Sequence, residues 1–328
     1  MAGSDPFESS YHFARFASEA DGFVERASEA VAAEMGMAWH QQPTVRVVTR
    51  REWAQANVAG FSRLLASTEK ALAKPEGFGF GRVIAGRLVG AEMGALVGVL
   101  ARRVLGQYEL VLPSDGEGDT ILFVGANVLV MERQNEFRPA EFRYWVALHE
   151  CTHRLQFTGV PWLREHFLSL VDRLVESSKP QPGKSRRLAS EFRAAAREGR
   201  PLIGESGLMG LFATPDQRLV LDEMQALMSV LEGHGHVVMD RVGGRELVTQ
   251  ETMARILKSR RKDPRTAAFF RLTGLEMKMK QYEMGERFIL DVERRAGFQA
   301  IDTVWEGPDK LPTLSEISEP HRWLERVG

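Results

Sequence analysis

The spacing of apolar residues along the chain predicts a mostly helical protein. In most long stretches apolar residues recur every three to four positions with charged residues between them, as in amphipathic helices. The tail, which contains Pro308, Pro312 and Pro320, is instead predicted to be extended and to lie on the surface. We predict helices over residues 7–36, 50–72, 83–100, 139–158, 162–176, 188–197, 215–241 and most of 253–295.

Three short segments have the composition of β-strands instead. Residues 44–48 alternate between apolar and polar side chains and are mostly β-branched. Residues 108–112 and 121–124 flank a turn rich in glycine and aspartate. Those two segments predict a β-hairpin. The fold class is therefore α+β and predominantly helical, with a small β element just before the helix at 139–158.

The length of 328 residues fits one large domain or two moderate ones. We predict a single domain over residues 1–328. The alternative is two lobes, residues 1–158 with the sheet and the helix at 139–158, and a helical lobe over 159–328. Residues 177–188 are polar, basic and proline-containing, which predicts a mobile linker or lid.

Composition narrows the choice of partners and compartment. The chain has 43 basic and 44 acidic residues, so its net charge is −1. This balance does not indicate binding to nucleic acid or to an anionic membrane. Cys151 is the single cysteine, and the N-terminus has no basic segment followed by an apolar run, so we expect a cytoplasmic protein. Charges interrupt the glycine-striped segment 83–100, so we expect a buried helix there and no stable membrane insertion.

The candidate chemistry lies in the helix at 139–158, which contains His149-Glu150-Cys151-Thr152-His153. Positions i and i+4 share one helix face, so both imidazoles can bind one Zn²⁺ ion. Glu150 can then act as general base on a water molecule. In zincin motifs an uncharged residue usually follows the second histidine, and here that residue is Arg154. Arg154 could place a cation near the substrate cleft.

A catalytic zinc site also needs a third protein ligand. The apolar helix at 215–241 carries polar residues that need an explanation. We choose Glu232, because Glu232-Gly233 resembles the glutamate–glycine pair that supplies the third ligand in gluzincin aminopeptidases. His236 or His234 is the rival ligand, and His236 or Asp240 could instead orient a zinc-bound imidazole.

Several segments together resemble the zincin-like metallopeptidase family first described as a domain of unknown function, with a gluzincin-like fold. The resemblance covers residue 40 to the end and implies a zinc hydrolase; members are described as associated with deazaflavin coenzyme biosynthesis. The segments that carry it are FRYWVALHECTHRLQF with GVPWLREH, LGQYEL at 105–110, LMSVLEGHGHVVMDRVGG at 227–244, KQYEMGERFI at 280–289 and WEGPDKLP at 305–312.

These observations predict a zinc-dependent metallopeptidase with a peptide or protein substrate. Glu150 would move the proton, and Tyr282 is a candidate donor to the developing oxyanion, with Arg164 and His166 as weaker candidates. The edge strand of the hairpin would bind an extended peptide. Two alternatives remain: a non-catalytic zinc-binding scaffold or accessory protein, and a zinc hydrolase of non-peptide amides.

Overall fold

The computed structural model describes residues 5, 7–39, 41–60, 94, 97–109, 119–177, 215–261 and 276–328, without the side chains of 215–216, 258, 260–261 and 276–282. The chain divides into two compact units, Met1–Pro161 with Val238–Ile256, and Trp162–Val237 with Leu257–Gly328. The elements are α1 Tyr11–Met35, β1 Thr44–Val48, β2 Gly106–Tyr108, β3 Thr120–Val124, α2 Gly125–Asn135, α3 Pro139–Gly159, α4 Leu163–Ser177, α5 Pro215–Glu246, α6 Gln250–Arg261, α7 Glu276–Ala296, the 3-10 helices Phe298–Trp305 and Pro308–Lys310, α8 Leu314–Ser318 and α9 Pro320–Val327.

The described strands of the first unit form one small sheet in the order β1-β3-β2. β1 runs parallel to β3, and β2 runs antiparallel to it. The predicted pairing of the second and third strands is confirmed, although β2 begins at Gly106, two residues earlier than the pattern indicated. The predicted turn between them lies mostly outside the described residues.

The centre of the sheet is β3, which is buried along its whole length. On one face the Phe16 ring of α1 lies 5.4 Å from the Phe123 ring, centroid to centroid. On the other face Leu122 belongs to an apolar cluster with Trp53 and Val97. Since β3 has a neighbour on both sides, β2 has one edge that does not pair with β3. Helix α3 packs against β2.

The second unit contains a very close helix–helix contact at two glycines. A Cβ on Gly285 of α7 would overlap the carbonyl oxygen of Ser229 on α5, and one on Gly233 would overlap the backbone of Gly285. Glycine at both positions therefore allows the two backbones to touch. The contact fixes α7 against the part of α5 that carries Glu232.

The tail is helical, so the prediction of an extended surface segment is wrong. Trp323 of α9 is fully buried, and its ring lies 5.4 Å from the ring of Phe288 on α7. Its Nε1–H donates to the carbonyl oxygen of Lys310 at 2.8 Å. Prolines start short helices here, because the first turn of a helix does not need the missing N–H.

The α+β class with a helical majority is confirmed. The segments 177–188 and 188–197 lie outside the described residues, apart from Ser177 at the end of α4. Of the glycine-striped segment 83–100, residues 94 and 97–100 are described and are helical. A Cβ on Gly94 would meet nothing within 4 Å. None of the described helices is long and apolar enough to cross a membrane.

Candidate metal centre

Helix α3 carries the motif in a buried setting. Pro139 occupies the first turn, where its missing N–H costs nothing, and the helix ends at Gly159 as predicted. Tyr144 and Leu148 are almost fully buried, and Glu150 is only 5% exposed. His149 and His153 are half-buried. The motif therefore lies on a core helix. A chance match to the motif would more often lie on a polar helix at the surface.

The two histidines place their ring nitrogens at a common point. The Nε2 atoms of His149 and His153 are 3.2 Å apart, and the rings meet edge to face at 85°. A tetrahedral zinc ion with Zn–N bonds of about 2.0–2.1 Å would separate two such nitrogens by about 3.3 Å. The observed spacing therefore fits one metal ion shared by both imidazoles.

Gln156 orients the second histidine, a role that the sequence reasoning missed. Its Oε1 lies 2.9 Å from Nδ1 of His153, and its side chain is fully buried. With Nδ1–H donating to this oxygen, the lone pair of His153 is on Nε2, which faces His149. The signal was available, since Gln156 follows His153 by three residues and so shares its helix face.

Glu150 lies against strand β2. Its Oε2 accepts a hydrogen bond from the backbone N–H of Tyr108 at 3.0 Å. A Cβ on Gly106 would lie 2.7 Å from Oε1 of Glu150, so only glycine leaves room for the carboxylate there. The proposed base is thus held by the sheet and not by the helix alone.

Glu232 is the third member of the predicted ligand set. It lies on α5 and is 5% exposed. The ligand atoms of His149, His153 and Glu232 all lie within 4.8 Å of one another, and this group could hold a metal ion. Two imidazoles and one carboxylate are also a ligand set of known catalytic zinc sites, so these residues fit zinc.

The rival ligands are not part of that group. The ring of His234 stacks at 8° on Phe298 and meets Trp305 edge to face, so it packs in the core of its unit. His236 is 8% exposed. Asp240 accepts a hydrogen bond from Nε2 of Gln250 at 2.7 Å. The predicted role of His236 or Asp240 in orienting an imidazole stays a prediction.

The guanidinium of Arg154 is buried and forms an ion pair with Asp119, whose side chain is 25% exposed, and this explains the departure from the usual motif. The guanidinium donates to both carboxylate oxygens of Asp119, from Nε at 2.7 Å and from Nη2 at 2.5 Å. It also donates to the carbonyl oxygen of Gln41 at 2.6 Å, and the residue is 3% exposed. Arg154 therefore joins α3 to the ends of the segments that lead into β1 and β3.

Cys151 and Thr152 serve the fold. The thiol of Cys151 contacts Ser28 Oγ at 3.5 Å and the carbonyl oxygen of Val24 at 3.6 Å. Burial raises the pKa of this thiol to about 12. Thr152 donates to the carbonyl oxygen of Leu148 at 2.7 Å. Both residues are too buried to act as nucleophiles, and the Cys151 thiol is not acidic.

The remaining candidates lie in the second unit. Tyr282 is in helix α7, although its side chain is outside the description. His166 on α4 meets the Trp162 ring edge to face at 5.7 Å, and burial lowers its pKa. Arg164 is exposed on the first turn of the same helix. Their catalytic roles stay predictions.

The fold and the paired histidines define a helical α+β protein with a zinc-type ligand set. The chain belongs to the zincin-like metallopeptidase family, which matches residues 4–324. It is also similar to the crystal structure of an inferred hydrolase with a novel fold from Chloroflexus aurantiacus. The two are 30% identical with a TM-score of 0.68, over 99% of this chain and 92% of that chain. No curated protein matches the chain. These similarities support a hydrolase, and the family implies zinc.

Proposed function

We propose that this protein is a zinc-dependent peptidase. The observation that carries the proposal is the 3.2 Å separation of the Nε2 atoms of His149 and His153. It matches the span expected across one tetrahedral zinc ion, and Glu232 is the third residue of a group that could hold a metal ion. Family membership supports the same reading.

A zinc ion held by these three residues would act as a Lewis acid and lower the pKa of water to about 7. Glu150 is the residue that moves the proton. Its carboxylate takes a proton from water and later gives it to the leaving nitrogen of the cleaved bond. The hydrogen bond from the N–H of Tyr108 supports this role, because it holds the carboxylate in one orientation.

Tyr282 is the proposed donor to the oxyanion. Its position in the chain supports this role. Tyr282 precedes Gly285 by one helical turn on α7, and the backbone of Gly285 contacts Gly233, the neighbour of Glu232. The phenol would donate a hydrogen bond to the oxygen that gains negative charge as the carbonyl carbon becomes tetrahedral.

The proposed substrate is a peptide or protein in extended conformation. β2 pairs with β3 through odd-numbered residues, as the hydrogen bonds Val124 N–H to Leu105 O and Glu109 N–H to Thr120 O indicate. The backbone groups of Gly106 therefore point away from β3, on the edge where Glu150 lies. A peptide added along this edge would bond to the backbone of Gly106 and pass beside the proposed base, whose carboxylate already accepts from the Tyr108 N–H.

Metal analysis of the purified full-length protein tests the site. We expect about one zinc per chain in the wild type and almost none in His149→Ala or His153→Ala, because two ligands are too few for a stable site. Circular dichroism checks that both variants are folded. Wild-type protein that binds no zinc at micromolar concentration would remove the proposal.

A peptide-library digest tests the reaction. The wild type should cleave peptides, and Glu150→Gln should cleave about 10²–10⁴-fold more slowly with its zinc retained. Equal cleavage by both proteins would remove Glu150 as the base. Zinc binding without any cleavage would favour the zinc-binding scaffold, and turnover of small non-peptide amides alone would favour an amidohydrolase.

A further inference from the structure

We infer that Gly106 is a positioning residue for Glu150. The missing side chain at position 106 lets the carboxylate of Glu150 lie against the backbone of β2, where the Tyr108 N–H holds it. The catalytic consequence of this arrangement rests on the proposed peptidase function, but the arrangement itself does not.

The contact at Gly106 is specific to Glu150. The three atoms nearest to a Cβ placed on Gly106 are Oε1, Cγ and Cδ of Glu150, at 2.7, 2.8 and 2.9 Å. Carbon atoms do not pack at such distances, since optimal contacts are about 3.5–4.0 Å. Any other residue at position 106 therefore requires either the strand or the Glu150 side chain to move.

The strand is the less movable of the two. β2 is bonded to β3 on both sides of Gly106, by Val124 N–H to Leu105 O and by Glu109 N–H to Thr120 O, each at 2.9 Å. β3 itself is buried along its whole length. The end of the Glu150 side chain has three rotatable bonds, so a Cβ at position 106 would displace the carboxylate and not the strand.

The pairing of β2 with β3 also orients the Tyr108 N–H that donates to the Glu150 carboxylate. Tyr108 pairs opposite Ile121 as a non-hydrogen-bonded position, so its N–H points away from β3. That N–H donates to Oε2 of Glu150 at 3.0 Å. Gly106 and Tyr108, two residues apart on one strand, thus supply the space and the hydrogen bond that fix the proposed base.

The amide proton of Tyr108 reports this arrangement without metal or substrate. The chain has four tyrosines, so selective ¹⁵N-tyrosine labelling of the zinc-free full-length protein gives a simple amide spectrum. Tyr108→Phe assigns the Tyr108 signal by its disappearance. In the wild type we expect slow exchange of this amide with solvent, because the carboxylate of Glu150 covers it.

Gly106→Ala should speed exchange of the Tyr108 amide at least about tenfold, as Glu150→Ala should, since about 1.4 kcal/mol of protection corresponds to tenfold. Gly125→Ala is the matched control. A Cβ at Gly125 would overlap Phe13 and Val47 and strain the same unit, but it contacts no atom of Glu150 among its nearest neighbours. Exchange of the Tyr108 amide in this control should stay within about threefold of wild type, the scatter expected for independent sites.

A double variant separates displacement of Glu150 from simple strain. In the Glu150→Ala background, Gly106→Ala should change the exchange rate of the Tyr108 amide less than about twofold, because no carboxylate remains to be displaced. If Gly106→Ala alone does not fold, folding of the double variant supports the inference. Failure of both to fold overturns it, since the clash is then not with Glu150.

Turnover gives the second measurement. Gly106→Ala should lower kcat about 10²-fold with KM and zinc content close to wild type, because a base displaced by about 1 Å costs that much. Wild-type exchange of the Tyr108 amide in Gly106→Ala would overturn the inference whatever the zinc content. Fast exchange in a protein that neither binds zinc nor cleaves peptides would uphold the positioning of Glu150 and reject the peptidase proposal.

Discussion

The two faces of helix α3 use polar residues in opposite ways. On one face Cys151, Thr152 and Arg154 make contacts within the protein: with Ser28 and Val24, with Leu148, and with Asp119 and Gln41. On the other face His149 and His153 direct their Nε2 atoms at one another. Both faces belong to the same six-residue stretch, 149–154.

This difference separates polar residues that build the fold from polar residues that prepare a site. A buried polar group is costly unless it is paired, so the fold-building face is fully explained by its internal partners. Two imidazole nitrogens at 3.2 Å gain little from each other and much from a shared cation. The comparison can be tested on each face in turn.

The largest effect on stability is expected at Arg154. Arg154→Met leaves Asp119 and the carbonyl of Gln41 without their buried cation, which should lower the free energy of unfolding by about 3 kcal/mol. Urea denaturation of the zinc-free protein measures this. Arg173→Met is the matched control, because its pair with Glu223 is about half exposed on both sides. It should cost at most about 1 kcal/mol. Equal losses would mean that Arg154 is not a fold-building residue.

A smaller effect is expected at Gln156, which supports the site-forming face. Gln156→Leu keeps the volume but removes the acceptor for Nδ1–H of His153, so zinc affinity should fall about 10–100-fold. Competition with a chromophoric chelator measures the affinity. Gln225→Leu on α5 serves as the control, since Gln225 is half-buried and lies two turns before Glu232. Unchanged affinity in Gln156→Leu would show that the ring of His153 is held in another way.

The smallest effect is expected at Cys151. The pKa of its thiol is raised to about 12 by burial, so the folded protein should not react with a thiol reagent at pH 8, whereas the unfolded protein should. The unfolded thiol ionises near pH 9, before the folded one. Ionisation therefore favours unfolding, and stability falls as the pH rises from 9 towards 12.

Comparison with Cys151→Ala isolates this contribution. Between pH 8 and pH 10 the wild type should lose about 1 kcal/mol more stability than the variant, which has no thiol to ionise. Denaturation curves at the two pH values measure it, and zinc content should be unchanged. Rapid labelling of the folded wild type would contradict the assignment of Cys151 to the fold-building face.

Much of this protein follows from the sequence alone. Helical periodicity identified α1, α3, α4 and α5, because an amphipathic helix must repeat its apolar face every 3.6 residues. The spacing of His149 and His153 alone put both imidazoles on one face. The short helices of the tail were not predicted, because the sequence alone does not distinguish a proline that starts a short helix from one that breaks a helix.

Tertiary structure decided what each polar residue of α3 contacts. Arg154 could not be assigned from the motif, since its partner Asp119 lies 35 positions earlier in the chain. The contact between β2 and Glu150 depends on strand register. The register places the Tyr108 N–H and the side of Gly106 that has no side chain against the helix. Local sequence sets which face a side chain occupies, but packing between distant segments sets what that side chain meets.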